Sequence, residues 1–320
     1  MKALVFNEKL ELVADYEKPV PARDEALVKV LMAGICNTDL EIVRGYQDFR
    51  GIPGHEFIGL VEEINHPQQF LLGKRVVGEI NCGCNNCDFC LKGMKNHCRQ
   101  RTVIGIKGKN GALAEYLTLP LDNLYQVPET VSDEEAVFTE PLAAAFEILE
   151  QIQIKPTDRV AVLGDGKLGL LAAMVLGQTR SEICLIGKHP EKLALAGSNQ
   201  IETLLLKDLP RNKSFDLVIE ATGSPSGFEL ALELLKPRGT LVMKSTVVIS
   251  KELNLSSLVV NEINLVGSRC GPFPPAIRAL ENNLVDVKPL ISTIFPADRA
   301  LEAFKAAAEK NALKVLVDFR

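Results

Sequence analysis

The spacing of hydrophobic and polar positions divides the chain into three stretches. Up to about Tyr125 the apolar residues come in short runs between Gly, Pro and Asn, at 26–31, 57–61, 75–78 and 114–117. Such β-prone runs closed by turn formers predict strands, and several in series predict a β-barrel-like domain. Between Ser132 and Gln151 the pattern becomes helical: Ser132 and Glu135 have capping-box spacing, and helix formers from Leu142 to Glu147 follow Pro141. Strand and helix patterns then alternate from Arg159 to about Gly267, which predicts a parallel sheet. The tail from Pro274 predicts a helix, a loop and a terminal strand at 314–319. No internal repeat or low-complexity tract interrupts this order.

The reading is therefore an α/β chain of two domains, one at 1–135 with 268–320 and the other at 136–267. A length of 320 residues suits about two domains. Composition narrows the function. Charged residues make up 24% of the chain, but the net charge is only −5, so no basic excess exists to neutralise nucleic-acid phosphates. No apolar run approaches the ~18 residues of a spanning helix. The first thirteen residues alternate like a strand and lack an apolar signal core, so a cytoplasmic location is expected. Eight cysteines in such a chain point to metal or thiol chemistry rather than to disulfides.

Three segments carry that chemistry. The first, Gly34 to Glu56, reads GICNTDLEIVRGYQDFRGIPGHE. Cys36 and His55 can be a thiolate and an imidazole ligand of zinc, which keeps a free position when it works as a catalyst. If 36–38 is extended, Cys36 and Thr38 share a face, and the Thr38 hydroxyl reaches whatever oxygen occupies that free position. Alone, Cys36 reads more often as an ordinary buried cysteine and His55 as a loop histidine. The other two segments shift that balance.

The second segment places Cys84, Cys87, Cys90 and Cys98 in C-x2-C-x2-C-x7-C spacing. Two-residue gaps let successive thiolates converge on one tetrahedral ion, and a closed four-sulfur shell leaves no room for substrate, so a structural zinc is expected. An iron–sulfur cluster or reactive dithiols are the alternatives, Cys82 could replace Cys84, and His97 is read as a neighbour only. The third segment is a buried-strand run, Arg159 to Leu163, followed by Gly164-Asp165-Gly166-Lys167-Leu168-Gly169 and a helical run. In that context the glycines serve a tight turn, close approach of a pyrophosphate and helix–strand contact. The next strand ends in Gly187-Lys188-His189, without the acid that usually binds a ribose 2′-hydroxyl. A glycine there leaves space for a 2′-phosphate, and Lys188 and His189 would offset its charge, so NADP is expected ahead of NAD. The alternative is a solvated Lys188 with NAD bound. A further strand leads into Ala221-Thr222-Gly223, expected near the nicotinamide half.

GICNTD, PGHEFIG, the four-cysteine spacing and the glycine fingerprint resemble the zinc-dependent medium-chain alcohol dehydrogenases, nearest in pattern to the sorbitol/threonine dehydrogenase branch. The resemblance implies a GroES-like β-barrel catalytic domain with a structural zinc lobe at 82–98, and a Rossmann doubly wound parallel-sheet domain. It implies a catalytic zinc held by Cys36, His55 and a third ligand. Phe138-Thr139-Glu140-Pro141-Leu142 matches the glutamate–proline of that branch, which makes Glu140 the expected ligand and Glu56 its competitor. Adjacent residues of a regular strand point to opposite faces, which favours Glu140 over the neighbour of His55. Asp39 is expected to accept a hydrogen bond from the His55 ring, and Thr38 to relay the substrate proton. Many family members carry a histidine five residues after the zinc cysteine, where this chain has Glu41.

Gly267-Ser268-Arg269 resembles a segment lining the polyol dehydrogenase cleft, so Arg269 is either a substrate contact or a surface arginine. The family's subunit pairing implies a homodimer or homotetramer through the apolar edge near 259–260 and 265–266. The expected activity is hydride transfer between a small alcohol, polyol or carbonyl compound and a nicotinamide dinucleotide. A zinc-free quinone-reductase-like enzyme and a non-catalytic relative are the alternatives. Pocket walls come from scattered loops, with Phe49, Ile104 and Phe273 as candidates.

Overall fold

A computed structural model describes residues 1–196, 201–210, 212, 214–245 and 255–320. The chain forms two compact units, one of Met1–Glu140, Ala276–Asn282 and Val287–Arg320, the other of Pro141–Pro275 and Asn283–Asp286. The first begins with a hairpin of β1 (Ala3–Phe6) and β2 (Leu10–Val13). β3 (Glu25–Ile35) is its longest strand, and helix α1 (Asn37–Val43) follows at once. β4 (Glu56–Ile64) pairs antiparallel with β3, and β5 (Arg75–Gly78) with β4. A small sheet of β6 (Asn81–Cys82), β7 (Thr102–Ile104) and β8 (Gly108–Lys109) brackets the four-cysteine lobe, which contains the single turn of α2 (Asp88–Leu91). β9 (Tyr116–Pro120) pairs with β3, and β10 (Leu124–Gln126) with β5.

The helical stretch from Ser132 is two helices. α3 (Asp133–Ala136) is capped by Ser132, whose Oγ accepts the Glu135 amide while Glu135 Oε2 accepts the Ser132 amide at 3.0 Å. α4 (Thr139–Gln151) follows.

In the second unit β11 (Arg159–Leu163) lies at the centre of a parallel sheet, and its near-complete burial explains its unbroken apolar run. α5 (Lys167–Leu176), β12 (Glu182–Gly187), α6 (Pro190–Leu193), β13 (Ile201–Leu205), β14 (Phe215–Glu220), α7 (Pro225–Leu234), β15 (Leu235–Met243), α8 (Ser256–Val260) and β16 (Asn264–Gly267) follow. The order is β13-β12-β11-β14-β15-β16, with the reversal beside β11, where such sheets bind their ligands. Cys184 of β12 serves as apolar core here, its thiol pushed up to about 12 by burial. The edge strand β16 and nearby α8 expose Leu265, Val259 and Val260.

The tail is richer than its sequence pattern predicted. After α9 (Phe273–Glu281) come β17 (Ile291–Pro296), α10 (Ala300–Ala307) and β18 (Lys314–Asp318). β18 inserts between β3 and β17, which completes the main sheet of the first unit in the order β10-β5-β4-β3-β18-β17. β17 alternates between half-buried and exposed residues, as a one-sided edge strand should, but its Ser and closing Pro read as loop signals. No helix among the described residues is long and apolar enough to cross a membrane.

Candidate active site

Cys36 stands where β3 hands over to α1, as the N-cap residue of the helix. The extended course expected from Cys36 to Thr38 is therefore not what the chain adopts. Asp39 Oδ2 accepts the Cys36 amide at 2.8 Å, satisfying a donor that the start of a helix leaves open. Thr38 lies in the first turn instead, its Oγ1 3.8 Å from Cys36 Sγ, so the hydroxyl stays within reach of the thiol.

The other oxygen of Asp39 accepts the Gly54 amide at 3.0 Å and lies 3.4 Å from His55 Nδ1. That last contact lacks hydrogen-bond geometry, so Nδ1 is a buried atom without a hydrogen-bond partner. Burial disfavours the charged ring, yet Asp39 and then Cys36 more than offset it and hold the His55 pKa well above 6.5.

Glu56 opens β4, and His55 precedes the strand. Alternation between neighbouring side chains holds only within a strand, so nothing turns Glu56 away from His55. Cys36, His55 and Glu56 each bring a donor atom within 4.8 Å of the others. Glu140, in the first turn of α4, is not in that group. Sequence reasoning missed Lys314 altogether. From β18 its ammonium pairs with Glu56 Oε2, both side chains being sealed from solvent, and lies 5.7 Å from the centre of the Phe138 ring. Burial works against that charge, but Glu56, Cys36 and Glu140 outweigh it and raise the lysine above 10.5. Gly34 makes the pairing possible, because a Cβ there would come 2.6 Å from Glu56 Oε2. The second Glu56 oxygen is buried without a hydrogen-bond partner. Sulfur, nitrogen and a carboxylate oxygen with unmet capacity form a donor set that fits zinc.

The cysteine lobe is built otherwise. Cys84, Cys87, Cys90 and Cys98 bring their sulfurs within 4.8 Å of one another, as their spacing predicts. Cys98 Sγ lies 3.5 Å from Cys84 Sγ and 3.8 Å from Cys87 Sγ. Burial and the adjoining thiols push Cys90 up to about 11, while the Cys84 amide holds Cys98 below its usual value. Four sulfurs at this mutual distance fit a closed zinc shell. Cys82 stands outside that group in β6, its thiol pushed up to about 11 by burial, and His97 is outside it too.

In the second unit the fingerprint glycines fall into three different surroundings. Gly164 has φ +114°, the tight turn after β11. A Cβ at Gly169 would come 1.9 Å from the Gly164 carbonyl, whereas one at Gly166 would meet nothing within 4 Å. Gly166 is also the N-cap of α5, so open space lies at the start of a ten-residue helix, as a pyrophosphate site requires. Lys167 and Leu168 form its first turn. Beyond β14, Thr222 donates its amide to buried Glu220 at 2.8 Å, and Ser245 donates to the other oxygen of that carboxylate. Ala221-Thr222-Gly223 is thus a turn tied to the strand end by an acid. Lys244 anchors the other segment, donating to the carbonyls of Ala144 at 2.6 Å and Arg269 at 2.9 Å, while the Arg269 side chain is exposed.

The glycine at the end of β12 has a side chain packed beside it: a Cβ at Gly187 would lie 2.4 Å from Asp165 Oδ2 and 2.5 Å from Asp165 Cβ. The space is occupied by the second residue of the fingerprint.

Residues 22–129 match the alcohol dehydrogenase GroES-like domain, and residues 168–285 match the zinc-binding dehydrogenase family. The chain belongs to the zinc-dependent medium-chain alcohol dehydrogenases. Sorbitol dehydrogenase of Halalkalibacterium halodurans is 27% identical over 99% of both chains. L-threonine 3-dehydrogenase of a Chelativorans species is 27% identical over 100% of this chain and 99% of its own. Among solved structures, the rspB alcohol dehydrogenase of Escherichia coli, complexed with NADH, superposes with a TM-score of 0.91 at 27% identity, covering 100% and 99% of the two chains. A zinc-binding dehydrogenase of Sinorhizobium meliloti bound to NADP gives 0.89 at 26%, covering 99% of each. As a medium-chain dehydrogenase this chain is an oxidoreductase of the alcohol and polyol type, and its two units are the GroES-like and Rossmann folds of that family.

Proposed function

We propose that the first unit oxidises a secondary alcohol group of a polyol, or reduces the matching carbonyl, at Cys36, His55 and Glu56. The observation that carries this reading is the convergence of those three donors within 4.8 Å beside a buried lysine. Cys36, His55 and Glu56 would hold the zinc, which when bound supplies Lewis acidity that eases loss of a hydroxyl proton, and the nicotinamide supplies the hydride acceptor.

The chain's own residues do the rest. Asp39 fixes the entry into α1 and faces the His55 ring, so it sets the angle of the imidazole. Lys314 pairs with Glu56 Oε2 and so competes for it, which makes the carboxylate a ligand that can let go. Glu140 adds to the negative field around Lys314 rather than to the donor group. Thr38 takes the proton from the substrate hydroxyl and passes it outward. Glu41 is not the next carrier, because its exposed carboxylate pairs with Arg44 at 2.7 Å. Polyols are the favoured substrates because sorbitol, erythritol/L-threitol and D-arabinitol dehydrogenases are among the relatives.

The test combines zinc content with nicotinamide absorbance over a panel of polyols, simple alcohols and ketones, for the unaltered protein and Thr38→Ala. Loss of a relay group should lower kcat by about 100-fold or more while two zinc ions per chain remain. Unchanged turnover in Thr38→Ala removes the relay from the reading, and absence of zinc at Cys36 removes its centre.

A further inference from the structure

The carboxylate of Asp165 lies where the sequence shows none. Dinucleotide-binding sheets of this type take the adenosine ribose at the end of the second strand, where an acid about 20 residues after the fingerprint binds its 2′-hydroxyl. Here that strand is β12, and it ends in Gly187 without an acid. Asp165, from the glycine loop, fills the volume above Gly187. Its Oδ2 accepts the Lys188 amide at 2.7 Å, the His189 amide at 2.6 Å and lies 3.1 Å from His189 Nδ1. The carboxylate is thus clamped to the backbone of the strand end it serves.

We propose that Asp165 replaces the missing strand-end acid from within the glycine loop and makes the protein select the dinucleotide with a free ribose 2′-hydroxyl, NAD(H), over the 2′-phosphorylated one. This rests on the reading of Gly164–Gly169 as the dinucleotide loop. Three features carry the selection. Oδ2 is saturated by its three contacts, and Oδ1 has no partner among the described residues, so one oxygen can accept from a hydroxyl. The His189 ring nitrogen that could otherwise face a phosphate already lies 3.1 Å from Asp165 Oδ2. Gly187 could not carry a side chain without evicting the carboxylate, so the glycine and Asp165 are a matched pair rather than a vacancy. Burial opposes ionisation, but the amides of His189 and Lys188 hold the Asp165 carboxyl below its usual range, and it faces a ligand as an anion. A 2′-phosphate would meet like charge in a partly desolvated corner, and a hydroxyl would meet an acceptor.

The test is binding, not turnover. The zinc-loaded protein is titrated with NADH and with NADPH, following nicotinamide fluorescence, and bound NADH is then displaced with 5′-AMP or adenosine 2′,5′-bisphosphate. NADH should bind more tightly by about thirtyfold or more, and 5′-AMP should be the better displacer. In Asp165→Asn, which keeps the shape and removes the charge, the ratio should fall to within about threefold, mainly by tighter NADPH binding. Equal affinities in the unaltered protein, or a ratio that stays put in a folded Asp165→Asn, overturn the proposal. If neither dinucleotide binds, the reading of the loop itself fails. The displacement arm needs no variant, so a poorly folding substitution does not protect the idea.

Discussion

The two candidate metal clusters of the first unit sit in the same fold and are held together by opposite means. Cys36, His55 and Glu56 are placed by β3, α1 and β4, and their charges are already answered by protein groups, Glu56 by Lys314 and His55 by Asp39. The cysteine lobe has two short helical turns, α2 and a 3₁₀ turn at Lys95–His97, and four crowded sulfurs, and its Lys95–Asp122 pair is partly exposed. The expected consequence is that the first cluster keeps its shape without an ion and the second takes its shape from one. A working centre must exchange ligands without losing its form, while a structural one need only stay shut.

The sharpest way to break this contrast is to remove the metal. After chelation, amides across 84–98 should exchange with solvent about 1,000-fold faster or more, while those at 35–40 and 54–58 keep most of their protection. Hydrogen-exchange mass spectrometry reads both, and equal loss in the two regions would erase the distinction. Next in size is Lys314→Met. Stranding a buried carboxylate should cost about 3–5 kcal/mol in urea unfolding of the zinc-free protein, with more than half recovered when Glu56→Gln is added. A loss under about 1 kcal/mol would mean that Glu56 does not depend on the lysine. The pH sign follows from the raised lysine pKa: the contribution is fully present below 10.5 and disappears only as pH climbs through the higher folded value. The smallest effect belongs to Asp122→Asn, which removes the partner of Lys95 and Asn85 at the lobe. With half-exposed groups it should change stability of the zinc-loaded protein by less than about 1 kcal/mol, and a larger loss would show that the lobe leans on the fold more than on its ion.

Much of the fold was legible because it is local. The strand at 75–78, the strand at 215–220 and the Ser132 cap announce themselves within a few residues, and so do the four cysteines, whose spacing alone converges them. What escaped is long-range or competitive. Lys314 reads as the polar end of a terminal strand, and only pairing of β18 with β3 reveals that it enters a sealed interior. The segment after Cys36 reads as extended until the Asp39 carboxylate is seen to cap a helix there. Gly187 reads as empty space, since no rule of periodicity says that a side chain from another loop will fill it. Glu56 falls beside Cys36 and His55 for a similar reason: strand alternation does not reach back to His55, one residue before the strand begins.

The insertion of β18 beside β3 has a bearing on biosynthesis. Glu56 and its counterion are separated by 258 residues, with the whole second unit encoded between them. On the ribosome the acid is made before the second unit and the base after it. While that unit is synthesised the sheet lacks an inner member and the carboxylate has no buried cation to meet, so the first unit closes only after the intervening sequence has had time to fold.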